Sequence, residues 1–179
     1  MPNQYWKHKN HKVVIDALKL LKERGGPIPY IVSSGGKDDY RNPDYFSELM
    51  NYLGENNLED HYLYLGKIPY IEVLGLMKIA GAMINPSRFE GWATTVEEAK
   101  MLGQKLYLSD IDVHREQAPN ATFFSPDSAS ELSALLQKIE YKENRTWDKL
   151  RTEWELKQLE YGKAFVKLTE NTIARFYGT

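Results

Sequence analysis

The run Ala82-Met83-Ile84-Asn85-Pro86-Ser87-Arg88-Phe89-Glu90-Gly91-Trp92-Ala93-Thr94-Thr95-Val96-Glu97-Glu98-Ala99 decides how this chain folds. A short apolar strand, Ala82 to Ile84, enters a polar loop that carries Glu90. The loop opens a helix that carries Glu98 eight positions later. Thr94 followed three residues on by Glu97 has the spacing of a capping box. That pattern puts the helix start near Thr95, makes Glu97 the capping residue, and leaves the amides from Ala93 to Val96 facing the loop. A helix start carries roughly half a positive charge and suits phosphate. Glu98 points about 100° away from Glu97 and is free for a ligand. Two acids bordering such a start suit a ligand with both hydroxyls and phosphates.

Outward from this unit, strand and helix periodicities alternate. Asn10 is placed to cap a helix through about Arg24, with Val13, Val14, Ala17, Leu18 and Leu21 on one face. Gly25-Gly26-Pro27 ends it, and Ile28 to Ser33 reads as a strand. After the Gly35-Gly36 loop, Asn42-Pro43 starts a second helix with Pro at its first position. Tyr62 to Leu65 is a strand, Tyr70 to Ile79 a helix, and Thr95 to Leu102 the helix of the opening run. Lys105 to Leu108 is a strand, Ser109 to Asn120 irregular, Thr122 to Phe124 a short strand and Ser128 to Tyr141 a helix. Such alternation predicts an α/β, Rossmann-like doubly wound parallel sheet, with ligands at the carboxyl ends of its strands. The Gly35-Gly36 loop, the Glu90 loop and Ser109-Asp110 then open on one edge. From Thr146 to Tyr177 the pattern is wholly helical. The division predicted is a sheet domain over 1–145 and a helical segment over 146–179 that packs on it or on something outside the chain.

Composition narrows the function classes. Lys and Arg total 23 against 25 Asp and Glu, for a net charge of -2, so there is no electrostatic footprint for nucleic acid. The absence of cysteine excludes disulfides, thiolate metal sites and Cys nucleophiles, and fits a reducing cytoplasm. No apolar stretch approaches the roughly 20 residues that span a bilayer. His8, His11, His61 and His114 show no metal-ligand spacing, and no metal is expected. Neither a P-loop nor a G-x-G-x-x-G fingerprint is present.

Several candidates keep a bland reading by spacing alone. Glu98 reads more readily as a solvated helix glutamate, and Glu90 equally as a loop-tip acid. Lys9, beside the Asn10 cap, reaches toward phosphate on the same edge, although a lone Lys near a helix start is more often solvated; Lys7 is a weaker second. Gly35-Gly36 lets backbone approach a ligand. His114-Arg115-Glu116-Gln117 reads as a site-edge or loop-holding cluster rather than a catalytic unit.

From Pro86-Ser87-Arg88-Phe89-Glu90-Gly91 through Glu98-Ala99 the chain resembles the retaining glycosyltransferases of family 4, the "glycosyl transferases group 1" proteins. Their donor-binding domain carries a P-S-x-x-E-G segment and a Glu-x7-Glu pair. Lys9-Asn10, Leu65-Gly66-Lys67-Ile68 and Gly103 before Leu106-Tyr107-Leu108-Ser109-Asp110 agree in order. The resemblance runs from about Asn3 to Ile139. It implies the C-terminal half of a GT-B architecture, which holds a nucleotide-diphosphate sugar and transfers its hexose, with retention and without a metal, to a glycan or lipid-linked acceptor. By the same resemblance Glu90 is the catalytic-site residue on the donor sugar hydroxyls and Glu98 binds the ribose. The amides around Ala93 and Thr94, with Lys9, hold the diphosphate. Gly36, Ile68, Gly91, Trp92 and Thr95 complete the donor site.

Two departures stand out. Asn3-Gln4 replaces the Gly-Arg expected before the first helix, and Ala93 replaces a second Gly. The resemblance also covers only the donor half, which implies a fragment inactive without its acceptor domain. The expected location is cytoplasmic, peripheral to the inner membrane face in the complete enzyme, with self-association through the C-terminal helix. The alternatives are a non-catalytic nucleotide-sugar-binding module, a nucleotide-sugar epimerase of the same architecture, and an interaction protein built on the helix from Thr146.

Overall fold

A computed structural model describes residues 1–139 and the single residue Lys163. The predicted segment 146–179, and the partner contacts expected of it, lie outside the described residues. Residues 1–139 fall within one compact unit. Their order is α1 (His11–Glu23), β1 (Ile31–Ser33), α2 (Tyr45–Glu55), β2 (Tyr62–Tyr64), α3 (Tyr70–Ile79), β3 (Met83–Asn85), α4 (Thr94–Met101), β4 (Leu106–Ser109), α5 (Asp112–Gln117), β5 (Thr122–Phe124) and α6 (Ala129–Leu136). Two 3-10 turns, Lys7–Lys9 and Glu59–His61, precede α1 and β2.

Every strand pair is parallel, and β3 and β4 are buried along their whole length, as strands covered by helices on both faces must be. The fold is the predicted Rossmann-like α/β arrangement. The sheet, however, is in two parts, β1-β2 and β3-β4-β5, rather than one. The reason is what lies between them. Met1 to Asn3 run parallel to the end of β1, with the Met1 ammonium donating to the Val32 carbonyl (2.8 Å) and the Asn3 amide to the Ser34 carbonyl (3.0 Å). Asn3 Nδ2 then donates to Asn85 Oδ1 at the end of β3 (3.2 Å). Three residues thus join the two sheets where a direct β1–β3 ladder would otherwise run.

The core gathers on α1. Val13, Val14, Ala17, Leu18 and Leu21 are buried, together with Ile15, and the helix packs chiefly against α6 through Leu132 and Leu136. Burial of this kind contributes about 1.5–3 kcal/mol per large aliphatic side chain. Gly25, at φ +66°, ends α1 in the left-handed conformation. Its amide bonds the Lys22 carbonyl and that of Gly26 bonds Leu21, a Schellman closure. Tyr5 fills the space between α1 and the sheet. Its ring stacks on His11 at 4.0 Å, and its hydroxyl bonds Ser33 Oγ (2.8 Å) and the Tyr62 hydroxyl (2.9 Å).

Four predicted features differ for physical reasons. Asn10 does stand at the head of α1, but at φ 57° its side chain makes no cap bond and is used elsewhere. Pro43 sits in a turn closed by the Tyr45 amide donating to the Asn42 carbonyl (3.1 Å), so α2 starts two residues later than predicted. Ser109 to Asn120 is not wholly irregular, since it contains α5, whose buried residues are the polar His114 and Gln117. The sixth helix is shorter than predicted, capped by Ser128 Oγ accepting from the Glu131 amide (3.2 Å).

Candidate functional site

The Glu90 loop is fixed from the end of β3 onward. Asn85 Oδ1 accepts from Ser87 Oγ (2.7 Å) and from the Ser87 amide (3.3 Å), a local turn that reverses the chain after the strand. The side-chain amide of Asn10 donates to the Pro86 carbonyl (3.1 Å) and to the Pro126 carbonyl (2.8 Å). The Arg88 amide donates to the His8 carbonyl (2.8 Å). Asn10 is therefore a tie between three loops, which is why it does not cap α1.

These ties bring Lys9 and Glu90 together. Lys9 Nζ lies 2.7 Å from each carboxylate oxygen of Glu90, with the two side chains only 14% and 8% exposed. Asn85 Nδ2 adds a longer bond to Glu90 Oε1 (3.4 Å). Burial pushes the Glu90 carboxyl up, but hydrogen bonds from Lys9, Ser87 and Asn85 overcome it and hold the group below its ordinary range.

The start of α4 is built differently from the capping-box prediction. Ala93 is the N-cap residue, and no side chain caps the helix. Gln117 of α5 takes that part: its Oε1 accepts from the Ala93 amide (3.1 Å) and its Nε2 donates to the Ala93 carbonyl (3.2 Å). Glu97 turns away from Thr94 and pairs with Gln117 Nε2 (3.1 Å) and Lys100 (2.9 Å). The amides of Val96 and Glu97 bond back to the Ala93 carbonyl. Among the described residues, those of Thr94 and Thr95 have no acceptor and remain for a ligand. Glu98 accepts from the Tyr70 hydroxyl (3.0 Å), which is drawn from the start of α3.

A pocket of about 520 Å³ joins these groups, within the size range of small-molecule sites. Lys9, Ile68, Glu90, Trp92, Ala93, Thr94, Thr95 and Glu98 all line it. Gly36 and Gly91 do not. Gly36 lies behind the wall, its amide bonded to Gln4 Oε1 (2.8 Å), and its neighbour Gly35 lines the pocket instead. Gly35 is held at φ +143°, where an added Cβ would stand 2.2 Å from the Asn3 carbonyl oxygen. Lys67, Tyr70 and Gln4 also line the pocket and were not singled out as binders by sequence; a turn lysine and a helix-start tyrosine carry no pattern of their own.

The His114 cluster is a loop holder. His114 Nδ1 bonds the Ser109 carbonyl (2.9 Å), its pKa lowered by burial, and Arg115 pairs with Asp110. Among the described residues no three His, Asp or Glu side chains gather as a metal-binding group, and no helix is long and apolar enough to cross a membrane.

Residues 1–156 match the family model described as "Glycosyl transferases group 1". Curated protein sequences give no match. Among solved structures, a glycosyltransferase from Rickettsia africae superposes with a TM-score of 0.67 at 19% identity, over 88% of this chain and 46% of that one. The Anabaena protein HepE, in complex with UDP, gives 0.64 at 22% identity, over 75% and 36%. Sucrose-phosphate synthase from Thermosynechococcus elongatus gives 0.64 at 16% identity, over 94% and 44%. The chain thus spans under half the length of these structures, and likeness at such identities is one of fold.

Proposed function

The chain belongs to the glycosyl transferases group 1 family, and from that premise we propose that its pocket binds a nucleotide-diphosphate sugar as the donor site of a retaining hexosyltransferase of family 4. The acceptor, a glycan or lipid-linked saccharide, would be presented by a second domain. One observation carries the reading: a carboxylate on a fixed loop, two unpaired helix-start amides and a second carboxylate line a single pocket. Glu90 would accept hydrogen bonds from the sugar hydroxyls. The Thr94 and Thr95 amides would take the diphosphate, with Lys9 beside it. Glu98, turned by Tyr70, would accept from the ribose hydroxyls. Trp92, Ala93 and Ile68 would shape the walls, with Gly36 and Gly91 behind the lining. Charge would be stabilised by amides and lysines aimed at the phosphates.

Calorimetric titration with UDP-, GDP- and ADP-sugars tests this. Binding of one of them, weakened by Glu98→Ala, is expected. No binding by the unmodified chain, or undiminished binding by that variant, would overturn the site assignment. A second reading, a binding module without turnover, is favoured by the engagement of both Glu90 oxygens with Lys9. It predicts full donor binding with no sugar transfer or hydrolysis when an acceptor domain is supplied.

A further inference from the structure

We propose that Lys67 is a second phosphate-binding cation of the pocket beside Lys9, a role that rests on the donor-site reading above. The charged side chains that line the pocket are Lys9, Lys67, Glu90 and Glu98. Lys9 is committed to both oxygens of Glu90 in a nearly buried pair, so that pair offers a diphosphate no net charge. Drawing Lys9 onto a phosphate would leave the Glu90 carboxylate without its cation beneath an anionic ligand, a costly arrangement at low exposure. Glu98 is held by Tyr70. Lys67 differs from all three, for it is exposed and, among the described residues, has no carboxylate partner.

Its placement is built rather than incidental. Lys67 follows Gly66 on the loop after β2, and its stem passes Gly36, where a Cβ would stand 2.8 Å from Lys67 Cε and 2.6 Å from Gln4 Oε1. The bare backbone at Gly36 is what gives the stem its path into the pocket. The Thr94 and Thr95 amides line the same pocket. A phosphate between them would meet neutral donors on one side and a mobile, strongly hydrated point charge on the other, which suits lysine.

The test is calorimetric titration of the whole chain with UDP, GDP and ADP, and with uridine, guanosine and adenosine, at low and high salt. Lys67→Gln should weaken the bound diphosphate by roughly tenfold or more, leave nucleoside binding unchanged and flatten the salt dependence. Lys67→Arg should keep most of the affinity. Because Lys67 is exposed, its variants should melt with the unmodified chain in the absence of ligand. Unchanged diphosphate binding by Lys67→Gln, or an equal loss for nucleoside and diphosphate, would overturn the lysine assignment and leave the donor site standing. Failure of the unmodified chain to bind any of the three diphosphates would sink the donor-site reading, and this proposal with it.

Discussion

Lys9 Nζ is equidistant, at 2.7 Å, from the two carboxylate oxygens of Glu90, across 81 positions of sequence. The pair locks the segment before α1 onto the loop after β3. Lys9→Ala leaves a nearly buried carboxylate without its cation and should cost about 1–3 kcal/mol. Adding Glu90→Gln should recover part of that loss, so the two changes are non-additive by more than about 0.5 kcal/mol. Urea unfolding of the two single variants and the double variant checks this; strictly additive values would show that the pair is not coupled.

His11 sets a stability dependence on pH. Burial, followed by the charge of the chain's amino group, pushes its pKa down from 6.5 to about 3. Above 6.5 the imidazole is neutral in both states and contributes no slope. As pH falls from 6.5 toward 3 the unfolded chain takes a proton that the folded one refuses, so stability falls. His11→Phe, which keeps a ring against Tyr5, should flatten that window. Urea midpoints at neutral and mildly acidic pH measure it, and an equal acid slope in the variant would remove His11 as the cause.

Gly35 and Gly91 should respond oppositely to alanine. At Gly35 the added Cβ meets the Asn3 carbonyl at 2.2 Å with φ at +143°, so the segment 1–3 must move, at a cost above about 2 kcal/mol. At Gly91 a Cβ finds nothing within 4 Å, and the change should stay within about 0.5 kcal/mol. Thermal melts of both variants decide, and a neutral Gly35→Ala would contradict the close approach.

The start of α4 rests on Gln117, not on Thr94. Gln117→Ala strips the Ala93 amide and carbonyl of their partners and should cost about 1–3 kcal/mol while weakening donor binding. Thr94→Ala removes no cap bond and should cost under about 0.5 kcal/mol. The reverse ranking in chemical denaturation would restore the capping box.

The residues that sequence placed well are those whose signal is local. Tyr70–Ile79 and Thr122–Phe124 have the predicted limits, because apolar periodicity and flanking turns mark them. The strand–loop–helix around Glu90 is legible for the same reason. What sequence could not show is pairing across the chain. The Lys9–Glu90 contact, the Asn10 tie to Pro86 and Pro126, and the Gln117 brace all join residues tens of positions apart. Thr94 and Glu97 had the spacing of a cap, but a glutamine from α5 offered Ala93 and Glu97 better partners. Helix α5 itself was missed because its buried residues are polar and leave no hydrophobic period.

The division of the strands into two sheets has a mechanical consequence for the pocket. One wall, with Ser34, Gly35, Lys67 and Ile68, belongs to β1-β2; the other, with Glu90, Trp92 to Thr95 and Glu98, belongs to β3-β4-β5. The width of the mouth is therefore an angle between two plates, set by the segment before α1, which bonds one plate at Ser34 and Gly36 and the other through Asn3–Asn85, Lys9–Glu90 and Asn10–Pro86. A ligand gripped from both sides would act as a second rivet. Amide hydrogen exchange should accordingly slow when donor is bound, at Ser34 in the wall and also at Asn85 and the strand end beside it, which do not line the pocket.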